Sequence, residues 1–122
     1  MQKLEHPLLT DKYTTVLHEN KENIKFNAPH HFKVYADKGQ QVPYLVGEVN
    51  FQEGPILEAG VNGVMNEDLI AMVITRLEHF NNTDFRCKEN SMAITKLEEA
   101  LLWLRKRTMG REKRGVEGTH VK

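Results

Sequence analysis

The chain has a single cysteine, Cys87. One thiol excludes an internal disulfide. It has no apolar run near the roughly 18 residues that a membrane-crossing helix needs. Its opening residues, MQKLEHPLLTDKYTT, lack the long apolar stretch of a secretory leader. The expectation is a soluble intracellular protein, working in the host cytoplasm if its gene is viral. Catalytic constellations are also missing. There is no GxSxG, no Cys-His arrangement with a third member, and no paired carboxylates, since Glu98 and Glu99 are adjacent on a helix and diverge. Of the metal-ligating types, His30, His31, His79, Asp84 and Cys87 fall in no zinc spacing. His79 and Cys87 flank a turn, but a surface histidine and a small apolar thiol explain them more simply. The sequence points to neither an enzyme, a metal site nor a cofactor.

Net charge is lacking too: 17 basic residues offset 17 acidic ones. The balance hides a division. Residues 1–104 hold ten basic and fifteen acidic side chains, whereas Arg105 to Arg114 hold six basic ones against Glu112 alone. A neutral protein has no general attraction for nucleic acid. A basic patch on an acidic body suits a small anion or one specific partner.

At 122 residues the chain is expected to form a single α+β domain. Residues 1–29 are polar and aperiodic and read as an irregular arm. Residues 30–58 read as a β-hairpin region. HHFKVYAD alternates, with Phe32, Val34 and Ala36 on one face, and VPYLVGEVNFQ returns after the Gly39 turn. A lone hairpin is marginal in water and needs something to pack on. Residues 66–114 read as a long antiparallel αα-hairpin. Its first helix spans Asn66 to about Asn81, with Asn66 as N-cap. Glu67 and Asp68 in the first turn suit the helix dipole and oppose a phosphate there. Its second helix spans about Phe85 to Glu112, capped by Thr83 or Asp84, with a weak point at Gly110. Residues 115–122 read as a tail.

The basic segment divides on a helical wheel. Arg107, Arg111 and Arg114 lie within about 60° of one another. They prolong the stripe of Ala93, Leu97, Ala100 and Leu104, whereas Arg105, Lys106 and Lys113 point elsewhere. Trp103, one turn before Arg107, is placed to stack on its guanidinium. A basic helix end that merely complements the dipole accounts for one or two of these charges. Arginine at all three stripe positions favours an anion, since its planar fork matches phosphate and carboxylate.

At the turn end, Phe80 closes the first helix and Asn90 lies early in the second. An aromatic ring and an amide are what a nucleobase needs, although plain packing would also use them. Asn90 and Arg107 are 17 residues apart on one helix, or about 25 Å. A nucleotide-sized ligand touching both sets must therefore lie between two chains. The first helix makes the same demand independently. Its apolar positions spread over roughly 200°, more than one partner helix covers. The expectation is a homo-oligomer.

Two stretches, FQEGPILEAGVNGVMNEDLI and CKENSMAITKLEEALLWLRKRTMGREKRGVEGTH, resemble the phage Thoeris anti-defence family, type one. That family shares a helical-hairpin domain with phage anti-CBASS sponges. The resemblance runs from about Val46 to the end of the chain and leaves residues 1–45 uncovered. It implies a binding protein without catalysis. Such a protein sequesters glycocyclic ADP-ribose, the signal of bacterial TIR-domain defence proteins, and in some members cyclic oligonucleotides. It also implies dimers or hexamers with pockets where chains meet, no membrane, and ligand contacts at Phe80, Asn90, Arg107 and Arg111. Lys88 stands where relatives would carry arginine. The competing reading is a small nucleic-acid-binding or phage assembly protein that uses the basic helix end against backbone phosphates.

Overall fold

The computed structural model describes every residue from Met1 to Lys122. The chain forms two compact units where one domain was expected. The first comprises Met1–Gly54 with Ala59–Gly63, the second Pro55–Glu58 with Val64–Lys122.

The first unit is a four-stranded antiparallel sheet in sequential order: β1 (Gln2–Lys3), β2 (Thr14–His18), β3 (His31–Ala36) and β4 (Tyr44–Asn50). The expected hairpin is its β3–β4 half. The expected irregular arm is wrong, because residues 1–29 supply β1, β2 and a 3-10 turn at Lys21–Asn23. The reason lies in pairing. β2 is too short to show an alternation, but in register it sets Val16 opposite Val34 and His18 opposite Phe32, and cross-strand pairs of this kind stabilise a sheet. On the other side of β3, Phe32 faces Val49 and Lys33 faces Glu48. The Phe32 ring meets Phe51 edge-on, with centroids 5.5 Å apart.

Polar groups organise the interior of this unit. Buried Thr15 donates its hydroxyl to Asp37 at 2.6 Å. The Glu19 carboxylate accepts the main-chain N–H groups of His30 and His31 at 2.9 and 3.0 Å. Buried His30 bonds through Nε2 to the Lys25 carbonyl at 2.6 Å. Each contact satisfies a group whose burial would otherwise cost about 1–3 kcal/mol. Gly63 packs so closely that a Cβ there would run into the Phe51 carbonyl.

The second unit begins at Pro55 and holds all but the last residue of a single turn of helix, α1 (Ile56–Ala59), and is dominated by α2 (Asn66–Asn81) and α3 (Lys88–Arg114), packed on each other as a helical hairpin. The extent of α2 matches the sequence expectation. Its cap does not: Met65, not Asn66, is the N-cap, and its N–H donates to the Asp68 carboxylate at 2.8 Å. α3 starts at Lys88 and runs unbroken through Gly110 to Arg114. Cys87 caps it, with Sγ accepting from the Asn90 N–H at 3.4 Å. Thr83, the expected cap, instead closes the connector by donating its hydroxyl to the Phe80 carbonyl. Gly115 ends the helix in the left-handed region at φ 74°.

Only Ile74 is a buried apolar side chain. On the two long helices Met72, Val73, Met92, Leu102, Trp103 and Met109 are all exposed.

Candidate functional site

The basic end of α3 forms an open groove of about 610 Å³, lined by Trp103, Lys106, Arg107, Gly110, Arg111 and Arg114 among others. Its cations differ in how far the chain itself has engaged them. Arg105 pairs with Glu112 at 3.2 Å, away from the groove lining. Lys106, rather than Arg107, stands over the Trp103 ring, 5.0 Å from its centroid. This corrects the expected Trp103–Arg107 stack. Arg114 donates to the Lys122 carbonyl at 2.7 Å. Arg111 is half-buried, and its Nη2 donates to the carbonyls of Val116 and Thr119 at 3.1 and 3.0 Å. Arg107 is exposed and has no hydrogen-bond or ion-pair partner within the chain. A fixed guanidinium beside a free one, facing an open groove, is a suitable arrangement for a divalent oxyanion.

The tail is the main surprise at this end. Residues 115–122 were expected to be a simple extension. Instead they fold back, with Gly118 accepting from the Leu57 N–H at 2.9 Å and His120 bonded twice to Glu58. The two glycines of GVEGTH signal a bend in sequence, but its target was not legible.

At the turn end, Phe80 is partly exposed, and the Arg76 guanidinium lies 5.4 Å from its ring centroid. Sequence reasoning passed over Arg76, although its i, i+4 spacing from Phe80 is the signal that pairs them. Asn90 is half-buried, and its side-chain amide makes no bond within the chain. The connector is clamped by Asn81, whose Nδ2 donates to Ser91 Oγ at 3.0 Å and whose Oδ1 accepts from the Cys87 N–H at 3.3 Å. The structure thus gathers Arg107 and Arg111 at one end of α3. Phe80 lies in the last turn of α2 and Asn90 in the first turn of α3, towards the other end of the hairpin. Because α3 is one continuous helix, about 25 Å separates the two sets along its axis.

A second, polar hollow of about 450 Å³ lies in the sheet unit, beside Glu19, Lys25, His31 and Glu53. His31 bonds to Asn50 Oδ1 through Nδ1 at 2.9 Å and to Glu53 through Nε2 at 3.0 Å. The Asn50 bond, with Glu53 adding to it, raises the His31 pKa against the opposing effect of burial. Burial pushes the Glu19 carboxyl up, but the N–H groups it accepts outweigh this and hold its pKa below the ordinary glutamate range. No group of three or more His, Cys, Asp or Glu side chains is placed to hold a metal ion. These residues join loops to the sheet.

Comparison with known proteins matches residues 45–109 to the family model described as Acb2/Tad1, hairpin domain. The matched span covers α2 and most of α3 and includes Phe80, Asn90 and Arg107, while Arg111 lies two residues beyond it. The chain is also 54% identical, over 142 aligned positions spanning the whole of both proteins, to Thoeris anti-defense 1 of Bacillus phage SBSphiJ7.

Proposed function

The chain belongs to the Acb2/Tad1 hairpin family, and from that premise we propose that it is a phage sponge for TIR-derived glycocyclic ADP-ribose, holding the signal without cleaving it. Its role is Thoeris anti-defence. Arg107 and Arg111 hold the pyrophosphate, Phe80 stacks on the adenine, and Asn90 bonds to a polar edge of the ligand. The observation that carries this reading is the unpartnered Arg107 beside the anchored Arg111 in an open groove. The length of α3 then requires that Phe80 and Asn90 come from a second chain. The site is incomplete in one copy, and the exposed apolar side chains of both helices supply the surface for assembly into a dimer or hexamer. No helix is long and apolar enough to cross a membrane, and the site of action is the cytoplasm of the infected host.

Incubation with the TIR product followed by heat denaturation tests the proposal. A sponge gives the ligand back chemically intact, in no more than stoichiometric amount. Recovery of an altered ligand, or turnover beyond stoichiometry, would make the protein an enzyme. Arg107→Ala is expected to weaken binding by about 1.5–3 kcal/mol, the range for a hydrogen bond to a charged group, with melting unchanged. Tight duplex binding at roughly 0.15 M salt would instead favour the nucleic-acid reading.

A further inference from the structure

Arg111 is held in place by residues outside the helix that carries it. Its Nη2 sits between the carbonyls of Val116 and Thr119, so the guanidinium plane is set by the path of the tail. The tail is itself fixed by α1. The Glu58 carboxylate accepts the His120 N–H at 2.9 Å with one oxygen and lies 2.7 Å from His120 Nδ1 with the other. The Leu57 N–H donates to the Gly118 carbonyl. Gly118 is in the left-handed region at φ 77°, and a Cβ there would lie 2.7 Å from Leu57 Cγ. One continuous series of contacts therefore runs from Glu58 through His120 and Gly118 to Arg111.

We propose that Glu58 and His120 form the lock of a clasp that fixes Arg111 for anion binding, so that Glu58 is a positioning residue for the site. This rests on the reading of the Arg107–Arg111 groove as an anion site. The Glu58–His120 pair is largely exposed, and exposed pairs add little to fold stability. Its geometry is nevertheless specific, with two bonds between one carboxylate and one residue. The clasp thus spends its interactions on orientation. A guanidinium that grips two carbonyls through one nitrogen keeps Nε and Nη1 for the groove. If it were released, it would have to give up rotamer freedom on binding.

The test measures binding of glycocyclic ADP-ribose, and in parallel of inorganic pyrophosphate, to the full chain, using the fluorescence of Trp103, the sole tryptophan, which lines the groove. Glu58→Ala is expected to weaken binding roughly ten-fold, as a displaced positioning group does, while the Leu57 amide exchanges faster and helicity stays constant. Glu58→Gln keeps an oxygen for the His120 N–H and restores most of the loss. Gly118→Ala, which disturbs the same tail by another route, reproduces it. In an Arg111→Lys background the Glu58→Ala effect shrinks below about two-fold, as expected when one residue acts through the other. Unchanged affinity in Glu58→Ala with a released Leu57 amide overturns the clasp. So does a ten-fold effect that persists beside Lys at position 111. Failure of the unaltered protein to take up glycocyclic ADP-ribose counts against the sponge instead, and the pyrophosphate titration then decides the clasp alone.

Discussion

The sheet unit and the helical unit solve the problem of a small core in opposite ways. The sheet closes on itself through polar contacts: Thr15 on Asp37, Glu19 on two main-chain N–H groups, and His30 on a carbonyl. The helical hairpin buries one apolar side chain, Ile74, and leaves Met72, Val73, Leu102 and Trp103 outside. A two-helix unit with so little interior gains little from its own packing, since most helix stability comes from burying an apolar face. One unit is finished within a chain, whereas the other leaves an apolar face that, on the proposed reading, a second copy would cover.

The sharpest way to break this contrast is to disturb the interior that the sheet keeps to itself. Gly63→Ala forces a Cβ onto the Phe51 main chain, and overpacking of this kind costs about 1–3 kcal/mol. A clear fall in the denaturant midpoint is expected, and no fall would mean that the contact relaxes. Next in size is a charge on the exposed face of α2. Met72→Glu is expected to lower the oligomer mass in sedimentation while helicity per chain holds, at roughly 1–3 kcal/mol of association free energy. An unchanged mass would mean that no second copy covers this face. Gly110→Ala acts in the opposite direction. The position is helical, with open space around the new Cβ, so the helix should gain about 0.5–1 kcal/mol, seen as a higher melting temperature.

The smallest expected effect is a pH dependence confined to the sheet. His31 has a raised pKa when folded. Its contribution to stability is complete below the ordinary histidine value and disappears as pH rises through the raised one. Glu19 has a lowered pKa, so its contribution is present above the ordinary glutamate value and disappears as pH falls through the lowered one. Melting temperature should therefore peak in mild acid, between these two windows. His31→Gln should flatten the alkaline side of the curve and leave the acid side alone.

The helical half was the more legible in sequence. α2 declared both ends because its apolar spacing, its acidic first turn and the NNTD connector agree on them. The arginine stripe was visible because three identical residues fell on one arc. β2 was hidden, because TTVLH is strand only by virtue of what lies opposite it on β3. The start of α3 was misjudged because a cysteine thiol, not a hydroxyl or a carboxylate, caps it. The return of the tail to Glu58 crosses 62 positions, and no local pattern encodes a contact of that span. Arg107 and Arg111 could be named from the helical wheel, and Phe80 and Asn90 with the help of the family resemblance, but the difference between a free Arg107 and an anchored Arg111 could not.

On the proposed reading, the unbroken run of α3 acts as a spacer that keeps a chain from closing on its own ligand. A lone copy would then offer only half-sites. For assembly in pairs, working sites would appear in proportion to the square of the chain concentration while copies are scarce, and in direct proportion once assembly is complete. Capacity to soak up a defence signal would therefore switch on steeply during synthesis, with the threshold set by the affinity of chain for chain rather than of chain for ligand.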